Sequence, residues 1–276
     1  MTDQSSFEPI FENAHMRMKA CRHGPMLYNT NDTYIGRSFD LYGEYAESEM
    51  GLLANFVKPG MLALDVGANI GAHTIFLAKT VGPQGHVLAF EPQRQVFQNL
   101  CANVALNALG NIVTFHAGVG DQPGTAVVPH PNYQTQGNFG GVSLGGEHGG
   151  ENIQIMSIDQ VGLPALHFMK IDVEGMETSV LKGATQTISA YKPVLYVEND
   201  RKDKSPELLA YIFSLGYRAY WHTAPLYNSA NHANNPENIF GSTISLNLLC
   251  FPAEVSQNIE GLPEVKSPDE FILDPS

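Results

Sequence analysis

Cysteine is scarce in this chain, and basic side chains are outnumbered. Three cysteines in 276 residues cannot build a disulfide framework. Cys21, Cys101 and Cys250 also lack metal-ligand spacing, so thiols buried in a reducing compartment are expected. Fifteen Lys and Arg against 28 Asp and Glu give a formal charge of -13. Such a balance opposes contact with a phosphate backbone and argues against nucleic acid as a partner. The opening MTDQSSFEPI has neither a basic start nor an apolar run, and no stretch approaches the length of a membrane span. A cytoplasmic protein with no membrane partner is therefore expected. No internal repeat is present, and 43% apolar residues suit one sizeable α/β domain with appendages.

Also missing are the glycines of a dinucleotide fingerprint. Counting G-x-G-x-x-G from Gly67, Asn69 and Ala72 stand at the second and third glycine positions, and no lysine makes a phosphate loop. A nicotinamide oxidoreductase, which uses a similar doubly wound sheet, is disfavoured but stays as an alternative. What is present, in LALDVGANIG (62–71), is D-x-G-x-N-x-G between an apolar strand and the helical run AHTIFLA. Glycines at such a turn allow close backbone approach, and the helix start offers unpaired N–H groups. Asp65 at the strand tip would repel a pyrophosphate, yet it suits a ligand carrying an ammonium and a sulfonium. S-adenosylmethionine is such a ligand.

The rest of the chain can be read around that corner. Residues 1–58 form an N-terminal flap and cap. In it, 1–24 are polar and irregular, Met26–Phe39 is a hairpin or flap around Asn31-Asp32, and Glu44–Phe56 is a helix stopped by Lys58-Pro59-Gly60. This helix either packs on the sheet or brings Tyr42, Tyr45 or Glu49 to the ligand. Residues 59–252 read as a ligand-binding α/β domain. His86–Glu91 is its second strand, and Glu91 lies 24 positions after Gly67, where a ribose-binding acid is expected. Pro92 opens a helix, Ile112–Ala117 is a strand, and the loop Gly118-Val119-Gly120-Asp121 would meet an adenine, Asp121 accepting from its amine. The glycine-rich 125–150 is a lid or a long surface loop. Leu166–Ile171 ends in KIDVEG, so Asp172 and Glu174 stand at a strand's carboxyl end. Glu198 and Asn199 follow the next strand, and ligands of open α/β sheets bind at that edge. The last strands, Tyr217–His222 and Thr243–Phe251, flank an Asn-rich insertion ending near Asn238, and 253–276 is a C-terminal tail.

DVGANIGAHT, FEP, NFGGVS (138–143), KIDVEGMETSVLKGA and PENIFGSTISLNLLC together resemble the FkbM family of S-adenosylmethionine-dependent methyltransferases, over about Tyr34 to Phe251. The resemblance implies the class I methyltransferase fold, a Rossmann-like doubly wound sheet of seven strands with the last antiparallel. It also implies methylation of a hydroxyl on a sugar or secondary metabolite. By it, Asp65, Gly67, Asn69, Gly71, His73 and Thr74 line the methionine end and Glu91 the ribose. Ala68, Pro92, Gly118, Val119, Asp121 and Asp172 complete the expected cofactor set. His73 departs from the family, where a tyrosine is common.

An aliphatic hydroxyl near water's pKa of about 15.7 lies about 15 kcal/mol uphill of full proton transfer to an ordinary carboxylate. Proton loss is therefore concerted with methyl transfer, aided by a base of raised pKa, or assisted by a metal. Asp172, Glu174 and His222 are the catalytic candidates, and Tyr42, Asn138, Ser143, Glu198, Asn199 and Asn238 the substrate-binding ones. For the metal option, Asp172, Glu198 and Asn199 offer Mg2+ three hard oxygen ligands. A noncatalytic S-adenosylmethionine-binding protein is the remaining alternative. Acceptor identity and oligomeric state are left open by the sequence.

Overall fold

Seven strands form one mixed sheet in the order β12-β13-β11-β10-β4-β5-β6. In this computed structural model, which describes residues 7–145, 149–255 and 259–273, β4 is Leu62–Val66, β5 His86–Phe90 and β6 Ile112–Phe115. β10 is Phe168–Ile171, β11 Val194–Glu198, β12 Tyr217–Pro225 and β13 Ile244–Pro252. Only β13 runs against its neighbours, inserted between β11 and β12. This is the Rossmann-like class I methyltransferase topology. Between strands run α3 (Ala72–Val81), α4 (Arg94–Leu106), α6 (Glu177–Lys182), α7 (Thr185–Tyr191) and α8 (Ser205–Ser214). After β6, β7 (Gly118–Val119), β8 (Gly124–Pro129) and β9 (Gly150–Met156) make a small sheet, followed by α5 (Ile158–Val161).

Because successive side chains of a strand face opposite ways, each central strand feeds two cores. Leu64, Val66, Met169, Ile171 and Leu195 pack with Val180, Leu181, Leu208 and Ile212 from α6 and α8. Ala63, Phe168, Leu249 and Phe251 pack with Ile75 and Leu77 of α3 on the other face, and there the N-terminal segment joins them. It contributes β1 (Phe11–Glu12), β2 (Met16–Cys21), β3 (Gly24–Asn29), α1 (Ile35–Tyr42) and α2 (Glu47–Leu53). Met26, Tyr28, Phe39, Met50 and Leu53 sit in the same cluster as the sheet residues.

The N-terminal segment corrects the sequence reading. Its hairpin turns at Arg22-His23, between β2 and β3, so the supposedly irregular first 24 residues already contain strands. The MRMKAC alternation carries that signal. Around Asn31-Asp32 the chain instead enters α1, with Asp32 Oδ1 accepting from the N–H groups of Tyr34 and Ile35. The stretch 125–150 likewise starts with β8 rather than loop.

Beyond Pro252 the chain returns along β12. The Trp221 N–H donates to the Pro263 carbonyl at 2.8 Å and the Val265 N–H to that of Ala219 at 2.9 Å. Val265 is buried and Phe271 stands edge-on to Trp221. Among the described residues no helix is long and apolar enough to cross a membrane.

Candidate active site

The face shared with α2 and α3 carries a polar row through an otherwise apolar sheet. Asp65 pairs in register with Lys170, and Lys170 with Tyr196; two strands beyond Tyr196 and two residues along from its row, His222 is opposite Asn247. Lys170 Nζ lies 3.4 Å from Asp65 Oδ1 and 3.2 Å from Asp172 Oδ2, and it donates to the Gly67 carbonyl at 3.2 Å. Burial alone would lower the Lys170 pKa. Asp172 and Asp65 outweigh it and keep the ammonium charged above its ordinary range. Thr74 Oγ1 donates to Asp65 Oδ2 at 2.6 Å, and Asp65, 0% exposed, keeps Oδ1 toward the Lys170 ammonium without a hydrogen bond of its own.

Above this row the turn after β4 folds over. Gly67 has φ +79°, and a Cβ there would lie 1.8 Å from the Asp172 carbonyl, so the turn passes β10 too closely for any side chain. The Gly67 and Ala68 N–H groups donate to the Phe90 carbonyl. Glu91, just past β5, accepts from the N–H groups of Asn69 at 2.9 Å and Gln93 at 2.8 Å. Burial pushes its carboxyl up to about 7 against those two hydrogen bonds.

One cavity joins the strand ends. Of the sequence-derived cofactor set it is lined by Gly67, Ala68, Asn69, His73, Glu91, Pro92, Gly118, Val119 and Asp172, and of the others by Glu174, Asn138 and Glu198. The remaining candidates lie elsewhere. Asp65, Gly71 and Thr74 are beneath the floor. Asp121 is exposed, its N–H bound to Ser179 Oγ. Tyr42 is buried in the core, its hydroxyl donating to the Glu237 carbonyl and accepting from the Ile239 N–H. Ser143 Oγ bonds the Glu174 carbonyl and Asn238 bonds its own loop. His222 sits behind Tyr196, its Nδ1 2.8 Å from the Tyr196 hydroxyl. Missed by the sequence reading are Tyr34, Gln93, Lys170 and Ser245, which line the cavity with Asp200, Tyr45 and Glu49.

The Mg2+ ligand set does not assemble. Glu198 and Asn199 are consecutive at a strand end and so face opposite ways; Asn199 donates to Ser205 Oγ at 2.9 Å on the far side. Glu174 comes in instead, and Asp172, Glu174 and Glu198 can bring one oxygen each within 4.8 Å of one another. Two of these three already have cations of the chain's own, Asp172 with Lys170 and Glu174 with Arg201 at 2.6 Å. Burial and then the charge of Asp172 push the Glu198 carboxyl well above the carboxylate range. With two of its three carboxylates already paired to cations of the chain, the set has little uncompensated charge to offer a hard divalent cation. Glu174 has the left-handed φ of +57°, and burial, then Asp172, raises its carboxyl to about 7 despite Arg201.

Residues 65–219 match the family described as Methyltransferase FkbM domain. The chain is 28% identical over 171 residues to the hexuronic acid methyltransferase AglP of Haloferax volcanii, covering 58% of this chain and 64% of that protein. To the methyltransferase sdnD of Sordaria araneosa it is 27% identical over 156 residues, covering 45% and 60%. A 190-residue match at 26% identity, 53% of this chain, spans 9% of the AMB antimetabolite synthetase AmbE of Pseudomonas aeruginosa. The chain thus spans less than two thirds of each of these relatives. A crystal structure of a methyltransferase FkbM from Methylobacillus flagellatus KT aligns with TM-score 0.46 at 22% identity, over 69% of this chain and 43% of that one.

Proposed function

The chain belongs to the FkbM methyltransferase family, and from that premise we propose that it transfers the methyl group of S-adenosylmethionine to a hydroxyl of a sugar or secondary metabolite. The observation that carries the reading is the single cavity in which Glu91, at one strand tip, and Asp172, at another, both take part. Glu91 has two backbone donors and free lone pairs left for vicinal ribose hydroxyls. Gly118 and Val119 form the adenine wall, and Gly67 to Asn69 the floor under the methionine. The acceptor enters over Asn138, with Asp172, Glu198 and Glu174 offering groups to its hydroxyls. A hexuronic acid methyltransferase among the relatives supports a sugar as acceptor. In this reading 59–252 is the methyltransferase domain, 1–58 its cap and 253–276 its tail.

Methyl transfer requires the acceptor oxygen in line with the S–CH3 bond, and positioning of this kind supplies roughly 7–11 kcal/mol. Asp172 is suited to it. Held by buried Lys170, its carboxylate cannot swing freely, and it accepts a hydrogen bond from the acceptor. No step here requires a metal, so EDTA leaves turnover unchanged.

Two measurements test this reading. In thermal melts, S-adenosylmethionine and S-adenosylhomocysteine stabilise the protein and NADH does not. In a tritium-transfer panel of hexoses, hexuronic acids and their methyl glycosides, label passes from the cofactor to at least one sugar. Stabilisation by NADH alone overturns the cofactor, and an unlabelled panel overturns the acceptor class.

Glu91→Ala weakens S-adenosylhomocysteine binding by about 1–3 kcal/mol, the range for hydrogen bonds to charged groups. A pH effect accompanies it. Because the free carboxyl titrates at about 7 and ribose hydroxyls donate to its ionised form, affinity is level above that pH. Below it, affinity falls up to about tenfold per unit. Calorimetry from pH 5.5 to 8.5 shows this limb in wild type and its loss in Glu91→Ala.

A further inference from the structure

Four ionisable side chains that the reaction above does not use run in one line from the cavity into the sheet. His73 (α3) and Glu49 (α2) line the cavity; Tyr196 (β11) and His222 (β12) lie behind them. All four are buried, at 6%, 6%, 1% and 8% exposure in that order. Interiors retain such groups at a cost of several kcal/mol unless each is satisfied. Glu49 Oε2 lies 3.2 Å from His73 Nε2, and Tyr196 and Ser245 stand beside the same carboxylate.

At the inner end of this line the Tyr196 hydroxyl lies 2.8 Å from His222 Nδ1. Glu49, facing the His73 imidazole at 3.2 Å, is ionised. His73 then carries its proton on Nε2 and offers Nδ1 to an occupant of the cavity. Burial, the largest single influence, would raise the Glu49 pKa, but His73, Lys170 and Ser245 together outweigh it and the carboxyl is lowered, which agrees with the ionised form.

We propose that His73 is the base that takes the acceptor's proton and that Glu49 is its positioning residue, an inference that rests on the hydroxyl-methylation reading. Two rival groups are engaged, Asp172 by Lys170 and Glu174 by Arg201, and burial beside Asp172 disfavours the charged form of Glu198. His222 stands behind Tyr196, outside the cavity lining. In the step, the acceptor O–H proton moves to His73 Nδ1 as the oxygen lone pair bonds the methyl carbon. The C–S bond breaks, its electron pair stays on sulfur, and the sulfonium becomes the thioether of S-adenosylhomocysteine. The imidazolium is neutralised by Glu49 and returns its proton to solvent after product leaves. The His73–Glu49 contact is poorly aligned, leaving Nε2 without a well-formed hydrogen bond, as ligand-free catalytic pairs often are.

Three arms test the assignment in the full chain, with His73→Asn, Glu49→Gln and, as a second variant at the same position, His73→Gln. Calorimetry with S-adenosylhomocysteine is expected to give dissociation constants within about threefold of wild type. A loss of about tenfold or more in the His73 variants overturns the proposal, because the imidazole would then be a cofactor contact. Two-bond 1H–15N spectra of the complex are expected to show neutral His73 protonated on Nε2, with the tautomer mixed in Glu49→Gln; a wild-type ring protonated on Nδ1 overturns it. With a sugar labelled in the panel, kcat is expected to fall about 100-fold or more in His73→Asn with KM little changed. Wild-type rates in His73→Asn overturn the proposal. An unlabelled panel with wild-type protein sinks the acceptor class, and the first two arms still decide which way His73 faces.

Discussion

Lys170→Met lowers the unfolding free energy by about 3–5 kcal/mol, the usual loss when one partner of a buried ion pair is removed. Asp65, 0% exposed, would keep its charge with only the Thr74 hydroxyl to meet it, in a sheet face packed with Phe168, Ile75 and Leu249. The Gly67 carbonyl also loses its donor. Urea denaturation reports the loss as a lower midpoint at constant slope. Adding Asp65→Asn to Lys170→Met recovers a good part of the loss, because the stranded charge is gone; two such contacting residues are strongly non-additive. A loss below about 1 kcal/mol in the single variant would show that Lys170 is not what neutralises the floor of the cavity.

Asp172→Asn gives the larger kinetic effect. Turnover falls about 100-fold or more, while S-adenosylhomocysteine binds within a few-fold of wild type, because the acceptor oxygen loses its alignment rather than the cofactor its contacts. Asn keeps the shape of Asp and removes the charge that Lys170 holds at 3.2 Å. Stability changes less than in Lys170→Met, since the Asp172 side chain is 40% exposed and water compensates the change. A fully active Asp172→Asn enzyme, assayed with a sugar that wild type methylates, would sink the role of Asp172 in orienting the acceptor.

Much of the sheet was legible because its strands are short apolar runs closed by glycine turns, and the D-x-G-x-N-x-G spacing marks the corner. Positions at strand ends were legible too, so Glu91, Asp172 and Glu174 appear among the residues that line the cavity. The direction of each side chain was harder to read. Asp65 reads as ligand-facing until its in-register neighbour is known to be a lysine, and a lysine inside KIDVEG gives no sign of its partner across the sheet. Asn199 failed through parity, one residue from Glu198 and hence on the other face. Residues 35–42 contain β-prone side chains, but Asp32 caps their backbone and the apolar positions Ile35, Phe39 and Tyr42 fall on a helical face. Glu49 could be named as a candidate from its helix. Its meeting with His73, Tyr196 and Ser245 depends on four elements far apart in sequence, and no local pattern announces it.

The returning segment along β12 has a consequence for the protein's solubility. Strand β12 is the outermost of the sheet, and an uncovered outer strand offers a row of N–H and C=O groups to any other extended chain. Hydrogen bonds from the Trp221 N–H to Pro263 and from the Val265 N–H to Ala219 occupy that row from within the same molecule. Arg218 and Glu264, paired at 2.7 Å, place opposite charges along it. Residues 263–265 thus act as an internal blocker of strand addition at residues 219–221, in the middle of the outer strand.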